Sequence, residues 1–272
     1  MSKKKRPIPV FEQPLIETHC HLDYLEQAST EEIVRRAREV GVERLITIGV
    51  EPANLGTVRR LIEDHPTVFG TQGVHPHQAG LFDEAAAAEI ETHLGSEKIV
   101  AVGEIGLDYY YDNAPRAVQR TVFARQLDIA ASHDLPVVIH TREAEADTAA
   151  ILAEHAPRLA RKGVIHSFTS SVALAEQCLE LGFSLGFNGI VTFRNADNVR
   201  EVVAATPPER ILLETDSPYL TPVPYRGREN APFYIPFVAE EVARVKDQDV
   251  EQLLATAYRN SLALFWPGEQ AA

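Results

Sequence analysis

Short β-rich apolar runs alternate with helical stretches from one end of this chain to the other, and that rhythm constrains its fold more than any other feature. Eight such runs lie near 14–18, 44–49, 68–74, 99–103, 136–139, 163–165, 183–187 and 211–213. Strands separated by helices are the pattern of repeated βα units around a parallel sheet, and eight is the number that closes a barrel. The intervening stretches carry helix signals. Ser29 precedes Glu32 in capping-box spacing, and the run 33–40 ends at Gly41. A helix over 54–65 stops before Pro66, the longest is expected over 115–133, and one over 172–181 stops at Gly182. The segment 217–236 holds Pro218, Pro222, Pro224, Pro232 and Pro236. That density suits neither a helix nor a central strand, so a stiff loop over the barrel mouth is expected there. Helices over 237–245 and 248–265 follow it.

An open doubly wound sheet uses the same βα unit, and periodicity alone does not separate it from a barrel. The polar residues do. In a barrel the ends of several strands converge on one face, so metal-binding side chains should recur at strand C-termini along the chain. His19, His21, Glu104, His140, His166, Glu214 and Asp216 recur in this way. The expected fold is an α/β, TIM-like (β/α)8 barrel with a metal site at the C-terminal mouth of its strands. A chain of 272 residues with 45% hydrophobic composition buries enough core for one such domain, assigned to 10–272. Residues 1–9 carry Lys3, Lys4, Lys5 and Arg6 without the apolar core of a signal peptide, and are expected to form a disordered basic tail.

Strand alternation puts the imidazoles of His19 and His21 on one side and Cys20 on the other. The pair is suited to share a metal, although core histidines are the plainer alternative for an isolated pair, and Cys20 is expected to pack. Glu104 ends an apolar strand, where an unpaired carboxylate is costly. Either a metal or a buried ion pair would neutralise it, and Gly103 and Gly106 beside it suggest a backbone shaped for close approach. His140 and His166 end two further strands. Four histidines at three strand ends plus a glutamate make a mixed nitrogen and oxygen set suited to two divalent ions. Glu214 and Asp216 share a face by alternation, each a candidate ligand or base. His75 is a candidate for touching a substrate phosphate or orienting a ligand, whereas His77 reads as loop surface. His65, His93, His133 and His155 fall in or at the ends of helices and are assigned no function. Tyr109, Tyr110 and Tyr111 either stack a base or cover the rim. Arg142, Arg226 and Arg228 offer forked donors for phosphate at the mouth, with surface ion pairs as the alternative.

A formal net charge of -13 argues against a protein that coats nucleic acid, because such binding draws on an excess of Lys and Arg. Bound cations would reverse the sign of an acidic pocket locally. Two cysteines, Cys20 and Cys178, are too few for a disulfide framework, and no apolar run is long enough to span a membrane. A reducing cytoplasm is the expected location, with no obligate protein partner.

Six segments taken together resemble the TatD family of metal-dependent deoxyribonucleases. They are Thr18-His-Cys-His-Leu-Asp23, Gly73-Val-His-Pro-His77, Gly103-Glu-Ile-Gly-Leu-Asp-Tyr109, His140-Thr-Arg142, His166-Ser-Phe168 and Glu214-Thr-Asp-Ser-Pro-Tyr219. Arg226-Gly-Arg-Glu-Asn230 is similar to the family's loop after the eighth strand, while the Ser after His166 departs from a frequent Cys. The resemblance implies that His19, His21, Glu104 and Asp216 hold one metal, and that Glu104 bridges to a second held by His140 and His166. It implies that Glu214 supports them and that His75 contacts substrate; Asp216 is the candidate proton acceptor. The ions implied are Mg²⁺, Mn²⁺ or Zn²⁺, and the activity is exonuclease cleavage of DNA, with the 3′ end as the candidate start. An amidohydrolase acting on a small amide, lactone or cyclic ester uses the same barrel and His-x-His pair. Glu104 in place of a bridging Lys, and the three arginines, tilt the reading toward phosphate. A non-catalytic nucleic-acid or metal-binding module is disfavoured by the charge and by a ligand set that leaves open metal positions.

Overall fold

The computed structural model describes residues 6–269. Eight strands alternate with helices: β1 (Leu15–Cys20), α1 (Thr30–Glu39), β2 (Val42–Thr47), α2 (Pro52–Asp64), β3 (Val68–Gln72), α3 (Glu84–His93), β4 (Ile99–Asp108), α4 (Arg116–Ser132) and β5 (Val137–Arg142). The order continues with α5 (Glu145–His155), β6 (Gly163–Ile165), α6 (Val172–Glu180), β7 (Ser184–Phe187), α7 (Asp197–Ala205), β8 (Ile211–Leu213), α8 (Ile235–Val245) and α9 (Val250–Phe265). Neighbouring strands pair in parallel in sequence order from β1 to β8. The ring closes between β1 and the segment after β8, where the Asp216 amide donates to His19 O at 2.9 Å and the His21 amide to Ser217 O at 2.8 Å. The strand C-termini that carry the expected site residues therefore lie at one end of the barrel.

Strands of a barrel are covered on both sides, which is why they read as near-continuous apolar runs. Inside, Ile16, Ile46, Val100, Val138, Val164 and Leu212 pack together, and Leu262, Phe265 and Trp266 from the end of α9 join them. Trp266 stacks edge-on against Phe69 at the start of β3, so α9 stoppers the N-terminal end and leaves the opposite mouth for chemistry. Outward-facing residues such as Leu45, Val102 and Ile139 pack under the helices. Cys20 and Cys178 are both buried free thiols in this shell, and Cys20 packs as expected; burial pushes the Cys178 thiol up to about 12.

Local signals account for most boundaries. Ser29 Oγ accepts from the Glu32 amide at 3.3 Å and starts α1. The return half of the expected capping box is spent elsewhere, because the Glu32 carboxylate binds Arg35 at 2.7 Å. Pro236 does not belong to the proline-rich loop: it sits in the first turn of α8, where a proline lacks only an amide that has no helical partner anyway. Of the basic tail expected over 1–9, residues 1–5 lie outside the described residues. Arg6 pairs with Glu240, lies 5.1 Å from the Phe237 ring and accepts from Tyr225 Oη through its carbonyl at 2.9 Å. Arg6, within that segment, thus contacts Phe237 and Glu240 of α8.

Candidate metal centre

Gly106 shows why β4 delivers a carboxylate to the centre of the mouth. A Cβ built there would lie 1.9 Å from His140 O, and at Gly103 it would lie 2.7 Å from the Val138 side chain. Only glycine lets β4 and β5 approach this closely. Glu104 emerges between them, buried, with Oε1 2.8 Å from His166 Nε2, 3.1 Å from His140 Nδ1 and 3.5 Å from His75 Nε2. Its other oxygen, Oε2, lies 3.4 Å from His19 Nε2. Asp216 Oδ1 stands 3.5 Å from His21 Nε2 and 3.6 Å from His19 Nε2. The six residues expected as ligands, His19, His21, Glu104, His140, His166 and Asp216, are thus brought together, with Glu104 and Asp216 joined through His19.

The chemistry of these atoms fits divalent cations. His19 is wholly buried, yet neither of its ring nitrogens has a hydrogen bond, and its ring stacks on His166 at 3.8 Å. His21 Nδ1 and His166 Nδ1 are likewise buried without a hydrogen-bond partner. Buried polar atoms left in this state are costly unless something else binds them. His19, His21 and Glu104 form one group with atoms within 4.8 Å of one another; His75, Glu104 and His140 form another, and His19, His166 and Glu214 a third.

Two further carboxylates flank the imidazoles. Asp108 Oδ2 takes His140 Nε2 at 3.0 Å, which turns His140 Nδ1 toward Glu104. Glu214 Oε1 lies 3.6 Å from His166 Nδ1, within ion-pair reach but too far for a hydrogen bond. A carboxylate behind a ligating histidine fixes its ring and raises its basicity. Glu214 is fully buried, holds the Ser167 amide at 2.6 Å and lies outside the cavity lining. Of Glu214 and Asp216, Asp216 alone lines the cavity.

Electrostatics follow from this crowding. Burial pushes the Glu104 carboxyl up, but His166, His75, His19 and the His140 hydrogen bond outweigh it and hold it well below the ordinary carboxylate value. Asp216 is lowered in the same sense, burial being overcome by His21, His166 and His19. Burial lowers His19, and pushes His75 well below the usual imidazole value. His140 and His166 are raised, because neighbouring carboxylates outweigh their burial.

Three residues that sequence reasoning passed over belong here. Asp108 also accepts His77 Nε2 at 2.9 Å, so His77 is part of the cavity wall, a correction to its reading as loop surface. Asp108 Oδ1 in turn takes the Tyr110 and Tyr111 amides at 3.0 and 2.9 Å. Glu17 lies two residues before His19, fully buried, and its Oε1 accepts the His19 and Thr215 amides at 3.0 and 2.9 Å across the closing seam. Burial, aided by the charge of Glu214, pushes its carboxyl up to about 8. A carboxyl raised by folding contributes stability that is fully present below its ordinary value near 4.5 and is lost as pH rises through about 8. Melting the metal-free protein at a series of pH values should therefore show a loss between those limits of at most roughly 5 kcal/mol. Glu17→Gln should flatten that loss; an unchanged pH dependence would exclude Glu17 as its source.

The mouth opens into a cavity of about 710 Å³, lined among others by Tyr24, His75, Tyr111, Arg142, Asp216 and Tyr219. Arg142 stacks over Tyr110 at 3.9 Å and Tyr111 at 4.9 Å. The other two arginines expected at this mouth are placed elsewhere. Arg226 lies 3.7 Å over Phe193 in a neighbouring groove, and Arg228 faces Tyr225 at 5.6 Å, outside the lining of either space. Tyr225 is the cause: it stacks on Tyr234 and Phe237, and the loop folds back as Thr221 Oγ1 donates to Arg228 O.

A closed parallel barrel with imidazoles and carboxylates gathered at its C-terminal mouth defines a metal-dependent hydrolase. The family model described as TatD related DNase matches residues 16–266. YabD of Bacillus subtilis, an uncharacterized metal-dependent hydrolase, is 38% identical over 253 residues, covering 92% of this chain and 98% of that protein. YcfH of Escherichia coli K12, described in the same terms, is 37% identical over 92% of this chain and 95% of its own length. The crystal structure of YjjV, a TatD homolog from Escherichia coli K12, superposes with a TM-score of 0.87 at 31% identity, over 92% of this chain and 97% of that one. The chain belongs to the TatD family.

Proposed function

We propose that this hydrolase cleaves phosphodiester bonds of DNA from a strand end, using two divalent ions held by His19, His21, Glu104 and Asp216 on one side and by Glu104, His140 and His166 on the other. The reading rests chiefly on Glu104, whose two carboxylate oxygens face opposite histidine groups. When bound, such ions supply Lewis-acid charge and lower the pKa of water.

The chain's own residues divide the remaining work. Asp216, ionised and facing the cavity, takes the proton of the attacking water. His75 Nδ1 accepts the His77 amide at 3.1 Å, so its neutral ring carries the proton on Nε2. In that state it is a hydrogen-bond donor toward a phosphate oxygen. Arg142 offers a second, forked donor, and Tyr110 and Tyr111, about half exposed, flank it as surfaces for a base. A mouth of this size admits a frayed or single-stranded end more readily than the middle of a stiff duplex. The family's description as a DNase supports DNA over a small amide. Buried free thiols suit a reducing compartment such as the cytoplasm, and no helix among the described residues is long and apolar enough to cross a membrane.

The decisive test strips the protein of metal and restores Mg²⁺, Mn²⁺ or Zn²⁺ separately. End-labelled single-stranded DNA is then offered beside a covalently closed single-stranded circle and a panel of amides and lactones. Mononucleotides or very short fragments should leave an end of the linear strand while the circle survives. With a net charge of -13, affinity should come from the metals and a few arginines, giving a log-log salt slope near ~2 rather than ~6 to 10. Rapid cutting of the circle or a steep slope would overturn the end-directed reading, and turnover of amides alone would overturn the nuclease reading.

A further inference from the structure

The metal cavity continues sideways. Thr169 and Ile190 line it and also line a second groove of about 670 Å³, whose walls include Phe193, Arg194, Asn198 and Arg226. This groove runs over the loops that follow β6, β7 and β8. Its wall is built, not merely exposed. Arg200 donates to the carbonyls of Val191, Phe193 and Arg194 at 2.9, 2.7 and 3.3 Å and is neutralised by Asp197. Asn198 Nδ2 reaches Thr169 O at 3.3 Å, and the Val223 amide reaches Thr192 Oγ1 at 2.9 Å, tying the proline-rich loop to the same wall.

On this fixed wall two cations stand open. Among the described residues, the side chains of Arg194 and Arg226 have neither an ion pair nor a hydrogen bond, although the chain carries 39 acidic residues against 26 basic ones. Arg226 stacks face-on over Phe193 at 3.7 Å, an arrangement that holds the guanidinium plane while leaving its N–H edges free. Forked donors beside a phosphoryl-binding cavity match the non-bridging oxygens of a phosphodiester chain. We infer that this groove receives the single-stranded nucleic acid beyond the bond being cut, with Arg194 and Arg226 each on a backbone phosphate. The inference rests on the nuclease reading of the metal cavity and adds a strand path to it.

The test separates the two. Binding of a cleavage-resistant phosphorothioate oligothymidylate of about twelve nucleotides and of the corresponding dinucleotide is followed by fluorescence anisotropy, with the intact metal-loaded protein and with R194A/R226A. The longer strand should bind the double variant about tenfold more weakly, and its log-log salt slope should become shallower by ~1.4, the value for two phosphate contacts on a single strand. The dinucleotide should bind both proteins alike, and turnover of bis(p-nitrophenyl) phosphate, which fills only the cavity, should not change. Equal losses on both lengths, no loss on either, or wild-type protein that binds the long strand no tighter than the dinucleotide overturns the groove. A length-dependent loss in a protein that cuts no DNA upholds the groove as a strand site and removes the nuclease reading instead.

Discussion

Glu104→Ala is expected to strip the protein of bound metal and to lower turnover on the order of 10³-fold or more, whereas His75→Ala keeps its metal and loses on the order of 10²-fold. The difference follows from position. Glu104 touches His19 with one oxygen and His140 and His166 with the other, so its loss removes the shared element of both halves of the site. His75 reaches Glu104 only at 3.5 Å, and its tautomer makes it a donor. Metal content and rate should be measured on the same preparations, with melting curves to establish that each variant folds. A Glu104→Ala protein that holds two equivalents of metal and turns over near the normal rate returns Glu104 to a buried ion pair, the alternative open from its sequence position.

Asp216→Asn should retain most of the metal, since the amide oxygen still offers a lone pair, yet lose between ~10² and ~10⁴ in rate through the missing proton acceptor. The pH dependence identifies the cause. Asp216 is held below the ordinary carboxylate value: burial alone would raise it, and His21, His166 and His19 more than compensate. A depressed carboxyl is ionised throughout the neutral range and loses its function only as pH falls through that low value. The rate deficit of the variant should therefore be the same at pH 6 and pH 8. A deficit below tenfold, or one that closes as pH rises, would assign the proton to another group.

Much of this could be read from the chain alone. The alternation of βα units, the eight strand positions and the recurrence of His and acidic residues at strand ends are local or periodic signals, and side chains two apart on a strand share a face wherever that strand is placed. Two of the missed residues were legible by the same rule. Asp108 follows Glu104 and Gly106 at period two, and Glu17 precedes His19 and His21 at period two; both carboxylates sit with the site. What alternation cannot supply is distance. Arg226 and Arg228 occupy a loop whose path is set by Tyr225 packing on Tyr234 and Phe237, contacts made with a helix that begins only later in the chain. Only the folded barrel decided that Arg142 lines the metal cavity, that Arg226 faces a neighbouring groove and that Arg228 faces neither. The proton on His75 Nε2 and the raised Glu17 carboxyl also depend on which partners folding brings near and how much water it removes. Periodicity in the sequence determined which residues could meet at the mouth; long-range packing, which has no local signature, decided their spacing, their charge and which of them meet.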